Sequence, residues 1–440
     1  MLRTAVAIAV ILAVHLIRLQ TFPLITADEG GWPLSVRNWV ETGTRSTDYF
    51  MAPGYHWLLG VPFQLFGALH SVARPVSVAV SLLGLLLFYR LTRKLAGDDM
   101  AFWATLLLGT SYPAVLIDRR ALMEPFQITL ITALCLAAAS TRLLPVAGFT
   151  AALLLTKASG IFILPAIAVS RRRIPVWVAL AAGVAIAAAI FWWLYTLDPA
   201  TFLQGWATDL NHGNLGGRKD DSGRFRLNPL SIELTLRWLS EHEPLLFGIS
   251  ALGLLKAIWD RKHALMAAWY IFGAAFLFMQ VYVQENHRAV LLPPLCFFAA
   301  YLLTELKFGW SRAALGILVL YSVARIGGGI ARTPDPNASA LAWLASHTTR
   351  ESHVMAAPYL LMSLPARPVS FWSLPHPYLP TPAALACRKV EWLIVDEKEW
   401  VSESNTGAKL EESLAQCCEL QYATPAARVY RVKSTEPARP

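Results

Sequence analysis

Four short stretches place ionisable groups beside apolar segments. Asp28-Glu29 follows the first apolar segment. Asp118, Arg119, Arg120 and Glu124 occupy a brief turn between two others. Lys157 interrupts a further apolar run, and Glu285-Asn286-His287-Arg288 precedes another. A carboxylate can accept the proton of an attacking hydroxyl. Cationic side chains can stabilise an oxyanion that departs. The set therefore suits a displacement in which one acid acts as base and several cations hold a leaving phosphate, provided the intervening elements bring these groups to one side.

Those elements are membrane spans. Of the 440 residues, 55% are hydrophobic and 15% charged. A soluble domain carries about 25% charged residues, so the deficit indicates an integral membrane protein. Spans of about 20 apolar residues are expected at 4–25, 74–92, 100–117, 124–141, 175–197, 244–259, 264–282, 288–306 and 312–331. The stretch 145–170 reads as two short helices meeting near Lys157. Basic clusters at Arg90/Arg93/Lys94, Arg142, Arg171-Arg172-Arg173, Arg261-Lys262 and Lys307/Arg312 all fall on the side of Arg3 if 145–170 crosses twice. Basic residues favour the cytoplasmic side, which gives about eleven spans and an outer C-terminus. The four polar stretches then share the outer face, where ionisable groups at bilayer depth tend to meet one another or a cavity.

The same topology sets the loops. Residues 54–69 contain Gly60 and Pro62 and read as an interfacial helix. Residues 29–42, with Trp32, Arg37 and Trp39, read as another, within a structured outer loop over 26–72. A second outer loop, 198–243, holds Gly213, Gly216, Gly217 and Gly223. Its spacing is not that of a P-loop; a lid and an ordinary flexible loop are both open readings. The apolar N-terminus lacks a small-x-small cleavage site and is expected to be a retained signal anchor. The expected fold class is mostly α, a polytopic membrane domain over 1–332, followed by a small extracytoplasmic α/β domain over 333–440. In the latter, Ala338–His347 and 409–417 read as helices, and 353–357, 390–395 and 428–432 as strands.

Several function classes are excluded. The formal charge of +9 lies in loops, without a nucleic-acid-binding signature. His347, His353 and His376 lack metal-ligand spacing. Cys135 and Cys296 lie alone in apolar segments, whereas Cys387 is open to pairing with Cys417 or Cys418 in an oxidising compartment. Each polar group also has a structural reading: Asp28 as a helix cap, Asp118 with the arginines as a surface ion pair, Glu124 as a first-turn acid, Lys157 as a snorkelling side chain, and His287-Arg288 as plain loop.

Five motifs in order resemble the GT-C superfamily of membrane glycosyltransferases, most closely bacterial relatives of protein O-mannosyltransferases and of lipid A aminoarabinose transferases. Asp28-Glu29 resembles the acidic pair of the family's first outer loop. Pro53-Gly54-Tyr55-His56-Trp57 is similar to its Pro-Pro-x-Tyr-Tyr-Trp stretch, and Arg120-Ala-Leu-Met-Glu124-Pro125 to its Arg…Asp-Pro turn. Leu155-Thr156-Lys157 and His287-Arg288-Ala-Val-Leu-Leu-Pro293 resemble two further family stretches. The resemblance implies transfer of a sugar from a polyprenyl-phosphate donor to a lipid, glycan or protein hydroxyl at the outer face of a bacterial cytoplasmic membrane. It implies Asp28 as base and Glu124 as the second acid. Glu29, Tyr55, Asp118, Arg119, Arg120, Lys157, His287 and Arg288 are the expected substrate contacts. A divalent metal between Asp28 and Glu124 is compatible with the residues and required by none.

The sequence also departs from the family. Met51-Ala52 stand where aminoarabinose transferases carry a phosphate-binding Lys, the second acid is Glu, and Ala158-Ser159 separate Lys157 from Gly160. A transporter or flippase is the alternative of another class; the paired repeats common in that class are not evident in the sequence. A noncatalytic assembly subunit is a third reading.

Overall fold

The computed structural model describes all residues except 1, 24–26, 172, 212–226, 281–283, 307–309, 333–336, 365, 371–378, 397–399, 402–406 and 434–440; the side chains of 27–28, 208–211, 332 and 407–408 also lie outside the description. The chain divides into two compact units. One comprises Met1–Leu19, Thr44–Leu59 and Pro75–Arg332, the other Gln20–Gly43, Gly60–Arg74 and Thr333–Pro440.

Helices are the regular secondary structure of the first unit among its described residues. In lipid every backbone polar group needs an internal partner, and a helix supplies it within one segment. Among the described residues four helices are long and apolar enough to span a membrane: His70–Ala96, Ile174–Leu197, Asn286–Glu305 and Ser311–Ala331. The expected span 100–117 is not straight. It consists of Asp98–Thr110 and Tyr112–Asp118, bent by 64°, because Ser111 leaves the helical conformation (φ −57°, ψ 127°) and Pro113 lies in the first turn of a new helix. Six further apolar helices are shorter, including α1 (Leu2–Leu16), Glu124–Ala139, Leu143–Thr156, Pro244–Trp259 and Ala264–Met279. Large apolar side chains such as Trp192, Trp193, Trp259 and Leu320 point outward, as lipid-facing groups do. Between helices, small residues allow close approach: a Cβ on Gly253 would lie 2.1 Å from the Phe298 carbonyl oxygen.

The region expected as one outer loop, 198–243, contains two helices, Pro199–Asn211 and Pro229–His242. Their starts carry local signals. Asp198 accepts hydrogen bonds from the Thr201 amide (3.1 Å) and hydroxyl (2.7 Å). Asn228 accepts one from the Leu230 amide, and a proline opens each helix. The four glycines from 213 to 223 lie outside the described residues.

In the second unit a five-stranded sheet is described. Strands β1 (His353–Ala356), β2 (Arg367–Ser370), β3 (Trp392–Asp396), β4 (Cys418–Ala423) and β5 (Ala427–Val432) take the order β2-β1-β3-β5-β4. The pairs β1/β2 and β1/β3 are parallel, and β3/β5 and β4/β5 antiparallel. β3 is buried along its whole length, as its unbroken apolar run requires. β2 and β4 were not evident from the sequence pattern: β2 contains Pro368, and the outward face of β4 is polar. All five cysteines are free, so Cys387 forms no disulfide; Cys417 and Cys418 bring their sulfurs to 3.1 Å instead. His376 lies outside the described residues. The same unit holds α2 (Ala27–Thr42), which opens with the Asp28-Glu29 pair.

Candidate active site

In the first unit, four sequence stretches meet around Glu124. Glu124 opens a helix with Pro125 in its first turn, where the helix dipole favours an acid. Lys157 ends Leu143–Thr156 in an extended conformation, and a 3₁₀ turn, Ala158–Phe162, follows before Ile163–Ser170. That break is the meeting of two short helices expected near Lys157. It turns the ammonium onto Glu124 Oε1. The same oxygen accepts a hydrogen bond from Asn286 Nδ2 at 3.0 Å. Glu124 is buried and Lys157 half-buried. A carboxylate removed from water is tolerated only when paired and hydrogen-bonded, and both conditions hold.

The 53–57 motif frames this pair. A Cβ on Gly54 would lie 2.7 Å from Thr156 Oγ1 and 2.9 Å from the Leu155 carbonyl carbon, so the glycine seats that helix directly against the Lys157 segment. Tyr55 is fully buried, donates its hydroxyl to the Ala121 carbonyl at 3.1 Å, and packs edge-on against Phe126. One face of the Glu124 helix extends the polar set: Gln127 donates to Ser159 Oγ at 3.2 Å. Lys157, His287, Gln127, Ser159 and Gln280 line a cavity of about 10 Å³, enough for a single water. His287 and Arg288 lie on the 3₁₀ turn Asn286–Leu291, with Arg288 buried.

Asp118 and Arg119 are engaged elsewhere in the unit. Arg119 is fully buried and donates to the Val14 and Ile17 carbonyls, in the last turn of α1 and just beyond it, where helix carbonyls run out of intrahelical donors. Asp118 Oδ2 lies 3.2 Å from Nε2 of buried His15, whose Nδ1 is 2.8 Å from the Ile11 carbonyl. The described contacts of this pair fix α1. The Arg120 carbonyl accepts from Ser77 Oγ at 2.6 Å.

In the second unit, Glu29 is fully buried and bidentate with Arg74. Asp28 precedes it in the first turn of α2; its side chain is outside the description. Sequence reading did not select Arg74 or Gln127, and it named Asn286 only as part of the 285–288 stretch, without a role. Arg74 carried a usable signal as an arginine near the start of an apolar span, and Gln127 lies one turn beyond Glu124. Among the described residues no three His, Cys, Asp or Glu side chains converge. With Glu124 Oε1 already accepting an ammonium and an amide, the described groups do not form a metal site.

No family model matches the chain, and no curated protein sequence does. Solved structures do. ArnT from Cupriavidus metallidurans bound to undecaprenyl phosphate aligns with TM-score 0.70 at 14% identity, covering 99% of this chain and 98% of that one. Its apo state aligns with TM-score 0.67 at 14% identity, covering 98% and 97%. The archaeal oligosaccharyltransferase AglB from Archaeoglobus fulgidus, in complex with an inhibitory peptide and a dolichol-phosphate, gives TM-score 0.56 at 11% identity, covering all of this chain and 74% of that one. The chain therefore shares the fold of these structures over nearly its whole length.

Proposed function

We propose that this protein is a glycosyltransferase that moves a sugar from a polyprenyl-phosphate carrier to an acceptor hydroxyl with inversion. The observation that carries this reading is the buried Glu124–Lys157–Asn286 cluster, assembled from three distant stretches. The GT-C fold supports it, as do the lipid phosphates in two of the similar structures, undecaprenyl phosphate with ArnT and a dolichol-phosphate with AglB.

In the proposed reaction Asp28 accepts the proton of the acceptor hydroxyl as its oxygen attacks the anomeric carbon. The bond from that carbon to the phosphate oxygen breaks, and its electron pair leaves with the polyprenyl phosphate. Lys157, held by Glu124, and Arg288 stabilise the departing phosphate. His287, Arg120 and Tyr55 shape the donor site, and Asp118 and Arg119 support it through α1. The proposed topology has about eleven spans, with the site and the 333–440 domain on the outer face of a bacterial cytoplasmic membrane.

Purified protein supplied with synthetic polyprenyl-phosphate sugars is expected to transfer sugar, and Asp28→Asn to lose that transfer. Wild-type rates from Asp28→Asn overturn the base assignment. Movement of the lipid-linked sugar across vesicles without transfer favours the flippase reading.

A further inference from the structure

Asp28 stands at the start of a helix whose neighbours are unusually constrained. Glu29, the next residue, is buried, as is its partner Arg74. Arg74 Nε donates to Glu29 Oε1 at 2.6 Å and Nη2 to Oε2 at 3.0 Å, and Nη2 also donates to the Pro23 carbonyl at 2.9 Å. One guanidinium therefore ties the first turn of α2 to the chain just before it. The fork geometry allows little rotation.

Gly30 follows. A Cβ there would lie 2.1 Å from the Tyr359 amide nitrogen and 2.4 Å from its Cα, so the backbones of α2 and the short helix Pro358–Leu361 are in direct contact. Tyr359 is itself braced: its hydroxyl donates to Asp396 Oδ2, at the end of β3, at 2.8 Å and lies 3.3 Å from Asn337 Nδ2. Further along α2, buried Arg37 donates to the carbonyls of Leu361 (3.1 Å), Leu364 (2.9 Å) and Ala366 (2.6 Å), and to Glu41 at 3.0 Å. The His70 amide donates to the Met362 carbonyl at 3.1 Å, which fixes the start of the helix that carries Arg74. Arg37 and one backbone contact thus fasten α2 to the β1–β2 connection, and Arg74 holds the first turn of α2 to the chain before it and to the helix that begins at His70.

We propose that Arg74 and Arg37 are positioning residues for transfer: they set the first turn of α2, and with it Asp28, against the β1–β2 connection of the C-terminal sheet. This rests on the reading of Asp28 as base. A base displaced by about 1 Å loses on the order of 10²-fold in rate, so rigid placement of this turn matters to turnover more than to donor binding.

The test uses the full-length protein in lipid nanodiscs with a synthetic polyprenyl-phosphate sugar. Arg74→Lys and Arg37→Lys are each expected to lower kcat by about 10²-fold with KM for the donor unchanged. In an Asp28→Asn background Arg74→Lys is expected to cause no further loss of residual rate, because its effect passes through Asp28. Wild-type kcat in both arginine variants overturns the proposal. So does a further loss in the Asp28→Asn background, which means that Arg74 acts elsewhere. If Arg74→Lys does not fold, Arg37→Lys and Gly30→Ala supply the same kcat and KM comparison. Undiminished transfer by Asp28→Asn alone sinks the base reading instead, so the two failures are separate.

Discussion

Lys157 and Glu124, 33 residues apart in sequence, form a buried ion pair whose shared oxygen also takes the amide of Asn286. Each partner makes the other tolerable in an apolar surrounding. The pair links the break between two helices to the first turn of a third.

Removing one partner leaves the other charge stranded. Lys157→Met is expected to destabilise the protein by about 3–5 kcal/mol and to abolish transfer. The double variant Glu124→Gln/Lys157→Met, which strands no charge, is expected to regain most of the stability and none of the activity. Thermal melting in nanodiscs beside a transfer assay reads both effects. Equal melting points for Lys157→Met and the double variant contradict the pairing.

Gly54→Ala tests how closely the 53–57 motif must seat. The added methyl meets Thr156 Oγ1 and the Leu155 backbone inside contact distance. Overpacking of this kind costs about 1–3 kcal/mol, and here the strain falls on the segment that ends in Lys157. The expected outcome is a lower melting point together with a raised KM for the donor. Gly54→Ala combined with Thr156→Ala removes the Oγ1 contact, keeps the backbone clash and is expected to remain impaired.

His56 gives stability a pH dependence. It is buried, with Nδ1 3.0 Å from the Ala52 carbonyl, and burial lowers its pKa from 6.5 to about 4. The unfolded chain therefore takes up this proton at higher pH than the folded protein does. The stability this group confers is complete above pH 6.5, declines as pH falls below that value, and is lost once pH passes through about 4. Melting points measured from pH 7.5 down to pH 4.5 are expected to fall, and His56→Phe to flatten that slope over the same window. An unchanged slope in the variant assigns the effect to other groups.

The sequence was legible where chemistry and local pattern coincided. Lys157 inside an apolar run marked the break between Leu143–Thr156 and the turn that follows, since a cation at that depth needs a partner or an exit. Trp392-Leu393-Ile394-Val395 marked β3. What escaped were relations across long separations. Nothing local to Arg74 names Glu29 as its partner, and nothing in Arg37 names carbonyls beyond residue 360. Arg119 reads in the sequence as a substrate contact or half of a surface ion pair, because its described acceptors are backbone atoms in and just after α1, which carry no sequence signature. The bend at Ser111 was hidden within a run whose hydropathy continued through it.

The second unit is assembled from three separated stretches, Gln20–Gly43, Gly60–Arg74 and Thr333–Pro440. This has a consequence for biogenesis. During synthesis Glu29 can find Arg74 early, but the carbonyl acceptors of Arg37 emerge only after the membrane helices up to Arg332 have been made. Until then a buried cation and the Gly30 backbone have no surface to close on. Domains ordinarily complete themselves in order from the N-terminus as the ribosome proceeds. Here the segment bearing the proposed base waits for nearly the last part of the chain, so a nascent protein stalled before residue 358 would reside in the membrane with α2 unlatched and would be inert toward the proposed lipid-linked donor.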